Sequence, residues 1–204
     1  MYSKERTYKI EKKDRNFIPA GINEDVQLKS AKVTKSPMGN TFLEITFEKN
    51  GAILTDTEYE PAMGTYTTTE AELQQKEDNQ FSRMMQILLC FYKDEDLVFN
   101  GESFNDFANW VADKLNAADK SILLRVKCVF NNKGYITLPS YAKYTFIEPM
   151  KLPEGKNSII VELGIDKFVR PVVEDKEETV TNISSDYATD TLKDPMSANS
   201  ELPF

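Results

Sequence analysis

The chain has 204 residues, 40% of them hydrophobic and 28% charged, with a formal net charge of −8 and no histidine. That length allows one domain with a sizeable core and an appendage. The lack of histidine removes the commonest general base, the usual zinc nitrogen ligand and every Ser-His-Asp or Cys-His arrangement. There is also no glycine-rich phosphate loop, no calcium loop and no run of about 18 apolar residues. The expectation is a cytoplasmic binding protein rather than an enzyme, with no cofactor, no metal and no membrane association.

Residues 1–15 carry six basic side chains against three acidic ones, a net of +3, and lack the apolar stretch of a secretory signal. Such a basic arm can lie along a phosphate backbone. From Val26 to Lys35 the sequence alternates loosely: Val26 and Leu28 are apolar, then Ala31 and Val33 fall one position out of phase, as a β-bulge produces. Ser36-Pro37-Met38-Gly39-Asn40 has the chemistry of a turn. A second strand, Thr41 to Glu48, sets Leu43, Ile45 and Phe47 on one face. Asn50-Gly51 is a hairpin signal, and a third strand runs from Ala52 until Pro61.

The period then changes. Phe81, Met84, Met85, Leu88, Leu89 and Tyr92 recur at helical spacing behind a capping box of Thr69 and Glu72. A second helix, capped by Ser103, carries Phe104, Phe107, Ala108, Val111 and Leu115 as one stripe, with Trp110 at its edge as a packing residue. Strands return in Ile122 to Phe130 and, beyond the turn Asn131-Asn132-Lys133-Gly134, in Tyr135 to Ile147, interrupted at Pro139. Ser158 to Leu163 is a candidate edge strand. Cys90 and Cys128 sit singly in apolar runs and read as buried thiols.

Three strands, two helices and two strands follow the order of the OB-fold, a five-stranded Greek-key barrel with helix between strands 3 and 4. The predicted class is mainly β with a helical insertion (α+β), spanning residues 1–170. If Leu124, Val126 and Cys128 point inward, Arg125 and Lys127 share the outer face, and Tyr135 joins it across the hairpin. Lys29, Lys32 and Lys35 on the first strand, Phe42 on the second, Lys133 in the turn, and Tyr141, Lys143 and Tyr144 on the last strand add cations and rings. Cations neutralise phosphates and rings stack on bases, which is what sequence-tolerant single-strand binding requires.

Residues 171–204 hold eight acids against two lysines, so −6 of the total charge of −8 lies in the tail and the body is close to neutral. Too polar to bury a core, this segment is expected to be disordered. It ends in Glu201-Leu202-Pro203-Phe204, which resembles the acidic Pro-Phe tip of bacterial and phage single-stranded DNA-binding proteins. The resemblance covers the tip and the tail composition. It implies a protein that binds and protects single-stranded DNA during replication, recombination and repair, and that recruits partner proteins through the tip. In that family the terminal ring enters an apolar pocket and the α-carboxylate meets a basic residue. Homo-oligomerisation is compatible with the sequence. The alternatives are an interaction protein that uses the tip without binding DNA, and a virion structural or assembly protein.

Overall fold

A computed structural model describes residues 16–171. The basic arm and the acidic tail with its Glu201–Phe204 tip lie outside the described residues.

The first strand, β1 (Gly21–Lys35), begins five residues earlier than the hydrophobic pattern indicates. Its first part pairs with β4 (Leu123–Phe130) and its second with β2 (Thr41–Lys49), both antiparallel. The out-of-phase apolar positions are explained by a register shift between Leu28 and Ser30, which leaves Lys29 as the extra residue of a bulge. Beyond the β4 pairing, helix α2 (Phe104–Ala117) satisfies the backbone of Ala31 with one amide: Asn116 Nδ2 donates to Ala31 O at 2.7 Å, and Asn116 Oδ1 accepts from Ala31 N at 3.1 Å. Asn50 and Gly51 both take positive φ, as a two-residue turn between twisted strands demands, and β3 (Ala52–Tyr59) pairs with β2 along its length.

Helix α1 (Glu70–Leu88) and α2 both start in reciprocal capping boxes, Thr69 with Glu72 and Ser103 with Asp106. Met84, Ile87 and Leu88 of α1 and Val111 and Leu115 of α2 close over Leu28, Ile45, Phe47, Leu124 and Val126 of the sheet to form one core. Trp110 packs against Phe99 and Phe107, with ring centroids 5.3 and 6.2 Å away.

The architecture is thus a mainly β, antiparallel, six-stranded sheet with two helices between β3 and β4. Its order is β3-β2-β1-β4-β5, with β6 (Ile147–Pro149) also on β4. It is not the closed five-stranded barrel expected. Tyr135 to Ile147 yields only β5 (Ile136–Thr137) and β6, because Pro139 offers no donor and α1 takes over the intervening backbone. Gln86 Nε2 donates to Ala142 O at 2.7 Å, and Gln86 Oε1 accepts from Phe146 N at 3.3 Å. No ladder joins β3 to β5. Asp56 of β3 bridges them instead, accepting from the Thr137 hydroxyl at 2.8 Å and from Leu138 N at 3.4 Å. Ser158 to Leu163 forms no strand either. It belongs to an irregular strap that crosses the outer side of β4.

Candidate nucleic-acid interface

On β1, β2 and β3 the outward positions alternate with the core. Lys32 faces Glu44 across β1 and β2, and the two form an ion pair at 2.8 Å; Lys29 pairs with Glu48. Both lysines are exposed, but each is already matched by a carboxylate. Lys35, at the strand end, makes no ion pair among the described residues. Phe42 lies opposite Tyr59, their ring centroids 5.2 Å apart, with Tyr59 51% exposed. Tyr59 escaped the sequence reading although its position was available there. A two-residue turn at Asn50-Gly51 pairs Lys49 with Ala52 and, counted outward, Phe42 with Tyr59.

The outer side of β4 corrects two expectations. Arg125 and Lys127 do share a face, but the strap covers it. Lys127 is fully buried: its ammonium meets Asp166 at 2.8 Å, the Tyr141 hydroxyl at 3.0 Å and the carbonyl of Val161. An ammonium removed from water persists only when paired and hydrogen-bonded, so this lysine is a structural tie and is not open to phosphate. Arg125 is held between Glu148 at 2.6 Å and Glu24 at 3.1 Å, and the hydrogen bond it donates to Glu148 raises its pKa further. Tyr141 donates to Asp166 at 2.8 Å; burial, then the neighbouring carboxylate, pushes its phenol well above the usual range. Burial alone pushes the Asp166 carboxyl up, but hydrogen bonds from Lys127, Leu163 N and Tyr141 overcome it and leave the pKa lowered.

From this anchor the strap continues to the β4–β5 hairpin. Phe130 N donates to Lys167 O at 2.8 Å, and Lys167 Nζ reaches Asn132 Oδ1 at 2.7 Å. The Arg170 side chain lies over Gly134, where a Cβ would come within 3.1 Å of its Nε. Gly134 has φ +75°, so the turn and the close approach both exclude a side chain. Lys133, Lys167 and Arg170 therefore gather around one hairpin, beside Tyr135, which is 65% exposed. None of the three cations has a carboxylate partner among the described residues. Lys167 and Arg170 were missed from the sequence because only the folded strap brings them to Lys133. Lys143 lies over the ring of Tyr144 at 5.6 Å, and that ring meets Tyr141 edge-on at 5.6 Å, so these two exposed residues neighbour the buried tie.

A second buried cluster sits between β3 and α1. Arg83 ion-pairs with Glu58 and, at 3.4 Å, with Asp56, and its Nε donates to Pro139 O at 2.8 Å. Gln80 donates to Glu58 at 2.8 Å. Burial raises the Glu58 carboxyl, against the opposing pull of Arg83. Every buried side-chain nitrogen and oxygen among the described residues has a partner, and this cluster clamps α1 to β3 and to the backbone at Pro139. Both cysteines are buried and free, their thiols pushed up to about 12 chiefly by burial, which makes them inert at neutral pH. Among the described residues no group of acids and cysteines is placed to hold a metal ion, and no helix is long and apolar enough to cross a membrane.

No family model matches the chain, and no curated protein matches it.

Proposed function

We infer that this protein binds single-stranded nucleic acid, DNA by the resemblance of its tail, without sequence preference. The observation that carries the reading is the cation cluster Lys133, Lys167 and Arg170 beside exposed Tyr135. Among the described residues these are charges with no carboxylate of their own, next to a ring that is 65% exposed. Phosphates fit such charges through counterion release, and bases stack on such a ring.

The connectivity supports it. A β1-β2-β3 meander, helices, and a β4 that returns to β1 are compatible with the path of an OB-fold opened between β3 and β5, where Asp56 stands in for a ladder. In that fold oligonucleotides cross the face of strands 2 and 3 and the loops flanking it. In this chain that face presents Phe42 and Tyr59, and the flanking loops carry Lys35 and the β4–β5 hairpin. The acidic tail then acts as a displaceable competitor for the same cations, and its Glu201–Phe204 tip recruits replication and recombination proteins.

Fluorescence anisotropy with a labelled oligo-dT at two salt concentrations tests both halves, using the full chain and a variant ending at Arg170. The expected result is binding that weakens with salt and tightens on removal of the tail. Absence of binding by both forms overturns the reading and leaves the tip as a bare partner ligand.

A further inference from the structure

The strongest unassigned feature is on the opposite chemistry. Between α1 and the start of α2 lies a groove of about 530 Å³. Its floor is aromatic: Phe81, Phe99, Phe104 and Phe107, with Phe81 stacked on Phe107 at 5.4 Å and still 39% exposed. Its rim is acidic, from Glu60, Glu77, Asp78 and Glu102, and no lysine or arginine lines it. A neighbouring recess shares Phe99, Gly101 and Glu102 and adds Val98, Asp106 and Trp110, again without a basic residue. The wall is built for close approach, since a Cβ on Gly101 would fall 2.4 Å from the Phe99 ring. The α2 N-terminus does not reverse this field, because the Asp106 carboxylate already takes up the Ser103 amide and hydroxyl.

We propose that this groove docks a cationic, amphipathic segment of a partner protein. An apolar anchor rests on the phenylalanine floor, and lysines or arginines meet the carboxylate rim. Charge complementarity selects the occupant. Phosphate backbones and the chain's own acidic tail are repelled by four carboxylates, whereas a cation gains both the ion pairs and the faces of the rings. The chain's basic arm is a poorer match. It joins the described residues at Asn16, whose carbonyl accepts from Ile53 N at 2.9 Å, at the far end of β3 from Glu60. A face that repels DNA stays open while DNA is bound.

Trp110, the single tryptophan of the chain, lies against Phe99 and reports on the groove. The test is a titration of the full-length protein with a twelve-residue amphipathic Lys/Leu peptide, followed by Trp110 fluorescence. Saturable change is expected, weakened at least tenfold by the exposed charge reversals Glu77→Lys and Glu102→Lys together, with an unaltered circular dichroism spectrum. The same peptide is expected to bind the variant ending at Arg170 equally well. A response indifferent to the two reversals, or one lost with the tail, overturns the proposal. Tighter binding at Trp110 by a peptide of residues 1–15 overturns it as well, in favour of the chain's own arm.

Discussion

Lysines on β1 and cations at the β4–β5 hairpin look alike as sequence, but differ in what faces them. Lys29 and Lys32 protrude from a sheet whose neighbouring strand supplies Glu48 and Glu44 within ion-pair reach. Lys133, Lys167 and Arg170 come together from a turn and a strap, and among the described residues no carboxylate pairs with them. A cation's value to a polyanion depends on its surroundings. A paired lysine must first surrender a carboxylate and leaves that negative charge beside the phosphate, whereas an unpaired one releases only solvent and counterions. The hairpin cations are therefore the electrostatic half of the proposed interface, and Tyr135 with the Phe42–Tyr59 pair is the stacking half.

The largest effect is expected from replacing all three hairpin cations with alanine. Three lost phosphate contacts lower the slope of log K against log salt by about two and weaken oligo-dT binding on the order of a hundredfold at 0.1 M salt. Anisotropy titrations across salt read both numbers. A changed affinity with an unchanged slope would show that these side chains do not meet phosphates.

Next in size is Asp166→Asn, which breaks the comparison from inside the fold. Asp166 touches no candidate phosphate site, yet it ties the strap that presents Lys167 and Arg170. Leaving Lys127 buried without its carboxylate costs about 3 kcal/mol of stability. Release of two cations weakens oligo-dT binding roughly twentyfold. The pH dependence has a definite sign. The folded-state pKa of Asp166 lies below its unfolded value, so its contribution is present above about pH 4 and is lost as pH falls through the folded value. Urea midpoints measured from pH 6 to pH 3 should fall in the parent chain and flatten in the variant.

How much of this was legible in the sequence follows the range of the forces involved. The β1 bulge, both helix caps, the Asn50-Gly51 turn and the inward set Leu124, Val126 and Cys128 are local or periodic, and each was readable. Lys127 was misplaced because periodicity assigns it to the face opposite the core, and nothing local says that a strap forty residues away covers that face with Asp166. The strand drawn through Tyr135 to Ile147 failed for a related reason. Gln86, on a helix far back in the chain, offers the backbone hydrogen bonds that a ladder would otherwise supply. The acids Asp56 and Glu58 were a missed signal, since they occupy the same phase of β3 as buried Leu54. Carboxylates in an inward phase call for a cation, here Arg83.

Removing the rings tests the stacking half. Phe42→Ala with Tyr59→Ala gives up one base-stacking platform at ~1–3 kcal/mol, about tenfold in affinity, and leaves the salt slope unchanged. That last point separates the halves: hairpin variants move slope and affinity together, and ring variants move affinity alone. Equal slope changes in both sets would merge them into one electrostatic site.

The smallest effect carries the sharpest contrast. Lys29→Ala with Lys32→Ala removes two exposed cations, nearly as many as at the hairpin, yet is expected to weaken binding less than about threefold, because each is worth little while its carboxylate remains. The reverse variant, Glu44→Gln with Glu48→Gln, keeps both lysines and removes their partners. If pairing is what silences them, this variant binds oligo-dT about two- to tenfold more tightly and gains on the order of one unit of salt slope, as two new phosphate contacts at ~0.7 each allow. If instead the β1 face lies away from the strand's path, freeing the lysines changes nothing, and the route of the nucleic acid is confined to the hairpin and the Phe42–Tyr59 edge. Either result is read in the same titration, and it locates the strand relative to β1 without a structure of the complex.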